Sequence, residues 1–356
     1  MKRRNLLSYT ALGTATAALT ACQTEVSTIV RGSKPNPLVE WHMATSWPTT
    51  LDTLYGTAQY VAERVSALTE KRFTIKTFVS GEMVPGNQVL DAVQAGSVQC
   101  GHTGAYYYLD KNPAFAFGTA IPFGLNARQQ NAWLLEGGGS ELMNQLYAKF
   151  NVLAFPAGNT GGQMGGWFKR EVNTVADLKG LKMRIPGLGG TILSRLGVQV
   201  ETIAGENLFL ALEREVLDAA EWIGPHDDEK LELHKVAKFY YYPGWWEPGS
   251  SFDLIINREA WEQLPIAYQA VLQSAAAQAN VRCLAQYDRL NPQALTRLVK
   301  QGTQLKFFSP AILKACQQES IAFLEEQALT DPSFQDVYRS WKTFKETIEP
   351  WHKISE

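Results

Sequence analysis

The segment from Gly158 to Gly190 constrains this chain more than any other, because its glycines, cap residue and single apolar run leave few conformations open. It begins with Gly158-Asn159-Thr160-Gly161-Gly162-Gln163-Met164-Gly165-Gly166. Thr174 reads as a helix N-cap, and Gly180 as the residue that ends the short helix after it, since glycine accepts the left-handed turn of a helix stop. Leu181 to Ile185 reads as a strand, which Pro186-Gly187 breaks before a glycine-rich turn opens another helix. This order puts Arg184 at the carboxyl end of a buried strand beside a helix start, where α/β folds bind small anions.

Similar punctuation runs through the body. Strands are expected at Val39 to Ala44, Phe73 to Val79, Val152 to Ala157, Gln199 to Ile203 and Phe252 to Asn257. Between them, Thr53 to Leu68 is an amphipathic helix with Leu54, Ala58, Val61, Val65 and Leu68 on one side, and Asn87 to Ala95 is a helix ended by Gly96. Strands alternating with helices imply α/β sheets covered on both faces. After Pro265 the pattern turns helical. Ile266 to Leu290 reads as one long helix, with Pro292, Pro310 and Pro332 each opening a further one. The last, from Pro332 to Ile354, carries Phe334, Val337, Trp341, Phe344 and Ile348 on one side, an apolar face that needs a surface in its own lobe or in a second copy.

The first residues read as an address. Lys2-Arg3-Arg4 precedes a modestly apolar stretch and Leu19-Thr20-Ala21-Cys22. This is an export signal, too short and polar to span a membrane. Leu-Thr-Ala-Cys resembles a lipoprotein cleavage box that leaves Cys22 lipidated; Arg3-Arg4-Asn5-Leu6-Leu7 resembles a twin-arginine signal, the alternative being an ordinary Sec signal with Cys22 incidental. Residues 22–37 suit a tether. The chain beyond residue 37 is too long for one compact core, so two lobes are expected.

Several functions are disfavoured. A net charge of −2 without a basic stripe argues against nucleic-acid binding. Cys100, Cys283 and Cys316 stand far apart and allow at most one disulfide. There is no Gly-x-Ser-x-Gly elbow, no Cys/His arrangement and no zinc spacing among His42, His102, His226, His234 and His352, so an enzyme is not expected. His226 beside Asp227-Asp228 is the one acid–base-like cluster, and a helix N-terminus accounts for those acids equally well.

The run Asp177-Leu178-Lys179-Gly180-Leu181-Lys182-Met183-Arg184-Ile185-Pro186 resembles the most recognisable segment of the DctP-type substrate-binding proteins of tripartite ATP-independent periplasmic (TRAP) transporters. The resemblance continues in Gly81-Glu82-Met83-Val84-Pro85-Gly86, in Asp91 to Gly96 and in Leu210 to Trp222, and covers nearly all of the chain after the signal. It implies a two-lobed periplasmic-binding-protein-like clamshell, with chain crossovers near Gly161 and Ser250, a long bracing helix and C-terminal helices. The expected division is residues 38–160 with 250–289 in lobe one, and 161–249 with 290–356 in lobe two. It implies a periplasmic receptor that delivers its ligand to membrane permease subunits, and Arg184 as the residue that holds the ligand carboxylate. Certain members pair through their C-terminal helices, which keeps a homodimer open.

Glu221-Trp222 resembles the subgroup that binds monocarboxylate 2-oxo acids such as pyruvate together with a metal cation. The chemistry agrees. A 2-oxo acid offers carboxylate and ketone oxygens as a chelating pair, and hard cations take oxygen ligands. Glu221, the Trp222 carbonyl, the Gln163 side-chain oxygen and Glu247 are the metal candidates; Arg184 supplies a two-pronged donor, with Tyr107, Asn159 and Gln163 as further ligand contacts. With one glutamate Na⁺ is favoured over Ca²⁺, and with Glu247 also bound Ca²⁺ becomes reasonable. Trp41, Trp47, Trp245 and Trp246 are pocket walls or core. The alternative reading is a ligand-sensing protein for another organic acid, lactate or a similar hydroxy acid, because sensing uses the same clamshell.

Overall fold

Strand pairing in this protein builds two separate sheets from one chain. The computed structural model describes residues 36–355 except 202 and 204, and the backbone alone of residue 206. The expected export signal, Cys22 and the tether as far as residue 35 lie outside the described residues.

The first sheet has the order β2-β1-β3-β10-β4, formed by β1 (Val39–Thr45), β2 (Phe73–Phe78), β3 (Cys100–Thr103), β4 (Val152–Asn159) and β10 (Ser251–Asn257). β1 runs parallel to β2 and β3, and β10 antiparallel to β3 and β4. The Asp52–Leu68 helix covers one face through Ala58, Val61 and Val65, on the stripe expected from its 3.6-residue period. The second sheet has the order β11-β9-β5-β8-β6-β7: β5 (Trp167–Phe168), β6 (Lys182–Arg184), β7 (Gln199–Glu201), β8 (Ala219–Ala220), β9 (Phe239–Tyr242) and β11 (Gln304–Phe307). Seven of the strands described, β3, β5, β6, β7, β8, β9 and β11, have two to four residues each, too few to carry a period for a sequence to reveal.

The chain passes from the first sheet to the second between Asn159 and Trp167, and returns between Tyr242 and Ser251. The two crossing segments are bonded together, with the Thr160 N–H donating to the Ser250 carbonyl at 3.0 Å. Between β5 and β6, the Asp177 carboxylate accepts from the N–H and hydroxyl of Thr174 at 2.8 and 2.9 Å, which starts a turn of 3-10 helix, Val175–Leu178. Gly180 follows at φ +73°, the left-handed conformation its position requires.

Pro292 does not open a new helix. One helix runs from Ile266 to Lys300 with Pro292 inside it. An internal proline removes one backbone hydrogen bond and costs about 3 kcal/mol. Packing on both sides offsets this: Leu272, Ala275, Ala276 and Ala279 are buried against the first sheet, while Leu298 is buried in the cluster of the second. Pro310 and Pro332 do open helices, Pro310–Thr330 and Pro332–Ser355. The last buries Phe334 and Trp341 within its own chain, their rings 5.0 and 5.7 Å from that of Phe117. Among the described residues no helix is long and apolar enough to cross a membrane.

Candidate functional site

A cavity of about 70 Å³ lies where the two crossing segments meet the carboxyl ends of β6 and β8. Its polar lining is Gln163, Arg184, Glu221 and Glu247; its apolar wall includes Trp47, Leu51, Leu54 and Phe252.

Strand register brings the charged pair together. β6 and β8 pair in parallel with Arg184 opposite Ala220, so Glu221, one residue beyond, lands beside the arginine. Arg184 Nη1 donates to the Glu221 carboxylate at 2.9 Å and to the Glu221 carbonyl at 2.7 Å, and Nε donates to the Ile203 carbonyl at 3.2 Å. Among the described residues Nη2 has no partner. The guanidinium also lies over the Trp222 ring, 5.1 Å from its centre. That ring needs glycine at position 205, where a Cβ would fall 2.3 Å from an indole carbon.

Glu221 is 2% exposed. Burial pushes its carboxyl well above the usual range, although Arg184 pulls the other way. Glu247, on the returning crossover, is pushed up for the same reason, opposed first by its bond with Ser250 and then by the Arg184 charge. Its carboxylate accepts from Ser250 Oγ at 2.5 Å and from Gln163 Nε2 at 2.8 Å. Gln163 Nε2 also donates to Ser250 Oγ and Thr160 Oγ1, at 3.1 and 3.2 Å. With its amide nitrogen engaged in this way, Gln163 Oε1 is buried and has no donor. A buried acceptor without a donor is costly, and the buried Glu221 and half-buried Glu247 carboxylates face a single arginine. This donor set of oxygens, deficient in positive charge, fits a hard cation.

The other candidates fall differently. Tyr107 lines the cavity beside Tyr106, their rings 4.4 Å apart, and burial pushes both phenols up. Asn159 does not line it. Its Oδ1 accepts from the Gly161 N–H at 2.8 Å and its Nδ2 donates to the Gly249 carbonyl at 3.4 Å, so the side chain braces the crossovers. Trp47 forms part of the wall, whereas Trp41 packs on Phe73 and Trp245 stacks on Phe123 in the core. Ser250 escaped the sequence reading, since a lone serine carries no signal until its partners are in place. The acidic residues near His226 are also structural: Asp228 accepts from Trp167 Nε1 at 2.9 Å and from the Tyr240 hydroxyl at 2.7 Å, and Asp227 from the Tyr287 hydroxyl at 2.8 Å.

Known proteins share this arrangement of sheets and sequence. The model of the bacterial extracellular solute-binding proteins, family 7, matches residues 43–331. A monocarboxylate 2-oxoacid-binding periplasmic protein from Nostoc sp. is 54% identical over 100% of this chain and 97% of its own. The crystal structure of a TRAP transporter solute-binding protein from Bordetella bronchiseptica, a dimer with calcium and picolinate in one site, superposes with a TM-score of 0.87 at 45% identity, covering 90% of this chain and 95% of that one. A TRAP periplasmic solute-binding protein from Pseudoalteromonas atlantica, with bound sodium and pyruvate, gives a TM-score of 0.85 at 35% identity, covering 89% and 96%. The chain therefore belongs to family 7 of the bacterial extracellular solute-binding proteins, the DctP-type TRAP receptors, which are periplasmic transport proteins with a two-lobed α/β fold rather than enzymes.

Proposed function

We propose that this receptor captures short monocarboxylate 2-oxo acids, pyruvate first, as a chelate of a bound cation, and delivers them to a membrane permease. The observation that carries this reading is the mismatch inside the cavity. Gln163 Oε1 lacks a donor, and Glu221 and Glu247 together outnumber Arg184. A cation held by Gln163, Glu221, the Trp222 carbonyl and Glu247 answers both deficits and accepts the ligand's two adjacent oxygens. When bound, it supplies charge neutralisation and a template for the chelating pair. Arg184, through the Nη2 left over from its bonds to Glu221, receives the carboxylate. Tyr107 closes the wall as a hydroxyl donor. Asn159 holds the crossover that carries Gln163.

Related proteins support the reading. One relative carries 2-oxo acid binding in its name, and solved structures hold sodium with pyruvate, or calcium with picolinate, whose carboxylate sits next to a ring nitrogen. Closure of residues 38–160 with 250–289 against 161–249 with 290–356 would seal the ligand. Membership of the strands in two sheets favours that division as far as residue 307, whereas the helix Pro332–Ser355 packs into the core of the first lobe through Phe334, Val337 and Trp341.

Calorimetry on metal-stripped and reloaded protein, with pyruvate, lactate and propionate, tests the proposal. Pyruvate should bind far more tightly than propionate when the cation is present, and that preference should collapse in metal-stripped protein and in Glu221→Gln. A preference untouched by both treatments refutes cation chelation. Lactate outranking pyruvate would transfer the receptor to hydroxy acids. Small-angle scattering should show a smaller radius of gyration with pyruvate bound.

A further inference from the structure

Thr160 and Ser250 are the first residues beyond the paired ends of β4 and β10, where Asn159 lies opposite Ser251. The bond from the Thr160 N–H to the Ser250 carbonyl extends that ladder by one step and holds the two side by side as the crossings leave the sheet. Both residues are buried, and neither lines the cavity. Their hydroxyls nevertheless converge on one end of the Gln163 side chain. Each hydroxyl has its own hydrogen engaged elsewhere. Thr160 Oγ1 donates to the Gly161 carbonyl at 3.0 Å, and Ser250 Oγ donates to the Glu247 carboxylate. What each turns toward Gln163 is therefore a lone pair. The Glu247 carboxylate accepts from the same end of Gln163 and supplies a third acceptor. An amide nitrogen, with two hydrogens, serves these acceptors; an amide oxygen in its place would face three acceptors and no donor. The polarity of the amide is thus set by its surroundings, and Oε1 stands at the opposite end, buried and without a donor.

We propose that Thr160 and Ser250 are positioning residues of the cation site: without touching ion or ligand, they fix the Gln163 amide so that its oxygen rather than its nitrogen is presented to the cation. The proposal rests on the reading of the site as a cation-chelating receptor. An amide oxygen is a ligand for hard cations, whereas an amide nitrogen turned to the same place points its hydrogens at a positive charge and cannot coordinate. A half-turn of the amide exchanges the two atoms with almost no change of shape, so packing alone does not choose between them. The choice falls to the hydrogen-bond partners. Ser250 has a second duty. The bonds to Glu247 from Ser250 Oγ and from Gln163 Nε2 both fall on one carboxylate oxygen, Oε2, which leaves the other, Oε1, for the ion. One serine hydroxyl therefore sets two of the oxygens assigned to the cation, while Thr160 sets one.

The test measures cation binding directly, on metal-stripped full protein with pyruvate present. Ca²⁺ affinity is read by calorimetry, and the number of waters on bound Eu³⁺ by its luminescence lifetime in light and heavy water. The proteins are the wild type, Thr160→Val, Thr160→Ser and Ser250→Ala, each checked for thermal melting. Losing a partner that orients a metal ligand typically costs roughly 10- to 100-fold in metal affinity. Thr160→Val keeps the shape of the side chain without its hydroxyl. It should weaken Ca²⁺ binding by about tenfold and add about one water to Eu³⁺, as solvent oxygen replaces Gln163 Oε1. Thr160→Ser keeps the hydroxyl and should keep both wild-type values. Ser250→Ala should lose more, toward about a hundredfold, because it disturbs Gln163 and Glu247 together. In a Gln163→Met background Thr160→Val should have no further effect on Ca²⁺ affinity, a coupling that a merely structural threonine would not show. Wild-type Ca²⁺ affinity and water count in folded Thr160→Val or Ser250→Ala overturns the proposal, as does a Thr160→Val loss that persists in Gln163→Met; in each case the cation reading stands. If Ser250→Ala does not fold, the Thr160 series alone decides. If the wild type takes up neither Ca²⁺ nor Eu³⁺ with pyruvate, the cation reading falls and the proposal with it.

Discussion

Glu247→Gln should change which cation supports ligand binding. The substitution keeps the shape of the side chain and its ability to accept from Ser250 Oγ, which lies 2.5 Å from the carboxylate. It removes one charge from a cavity where Arg184 already faces Glu221. With a ligand carboxylate present, three negative groups stand against one guanidinium, and the cation makes up the difference. At an effective dielectric of about 20, a unit charge pair roughly 4 Å apart is worth about 4 kcal/mol. Losing the Glu247 charge therefore costs Na⁺ about 4 kcal/mol and Ca²⁺ about 8 kcal/mol on the same estimate. The difference of about 4 kcal/mol corresponds to roughly a thousandfold in selectivity. Burial already pushes the Glu247 carboxyl upward, so part of its attraction goes into releasing a proton before a cation enters. That proton is released for either ion, so its cost lowers both affinities alike and leaves the difference between the two ions in place. The assay is pyruvate calorimetry on metal-stripped Glu247→Gln and wild type, titrated at fixed Na⁺ or fixed Ca²⁺, with elemental analysis of the bound ion. Ca²⁺ should lose at least about tenfold more than Na⁺. Equal losses for the two ions, or none for either, would refute the charge argument and return Glu247 to a purely structural bond with Gln163 and Ser250.

Arg184→Lys should fold and still weaken pyruvate binding, because lysine keeps the charge without the fork that serves Glu221 and a ligand together. Arg184→Ala should lose about 2–5 kcal/mol of binding, and wild-type affinity by calorimetry would remove Arg184 from the site. Asp253, on β10, is buried with the Tyr147 hydroxyl donating to it at 2.9 Å, and burial raises its carboxyl to about 7. A carboxyl raised on folding contributes stability that is present below its unfolded value near 4 and lost as pH climbs through 7, about 1.4 kcal/mol per unit and at most about 4 kcal/mol in all. Asp253→Asn should flatten stability between pH 4 and 7 and raise it at pH 8, as read by urea unfolding; an unchanged pH slope would contradict this. Asp52 joins the helix packed on the first sheet to Lys230 at 2.5 Å and His226 at 3.1 Å, and its side chain is 60% exposed. Asp52→Ala should reduce pyruvate affinity by at most about fivefold in low salt and by nothing measurable in high salt, which a salt titration checks.

Local chemistry was legible in the sequence wherever a structure depends on near neighbours. Thr174 and Asp177 start a helical turn, Gly180 ends one, Pro310 and Pro332 begin helices, and the Asp52–Leu68 helix buries Leu54, Ala58, Val61 and Val65 of the face that its apolar spacing marks, leaving Leu68 at its end exposed. Capping and periodicity act over a few residues, so the order of residues specifies them. The Asp177-to-Pro186 run also placed Arg184 at the end of a strand, as the structure has it. Only the tertiary structure decided what surrounds that arginine. Glu221 reaches it through the pairing of β6 with β8, strands of three and two residues whose register is set by their sheet neighbours rather than by their own sequence. Gln163, Glu247 and Ser250 meet because two crossings separated by more than eighty residues run side by side. Asn159 reads as a ligand contact in isolation and becomes a brace once Gly161 and Gly249 lie against it. Pro292 reads as a helix start until packing against both sheets carries the helix through it. Trp47 and His102, fifty-five residues apart, are an aromatic and a lone histidine in the sequence; the parallel alignment of β1 with β3 makes them a hydrogen-bonded pair, because strand pairing converts distance along the chain into contact.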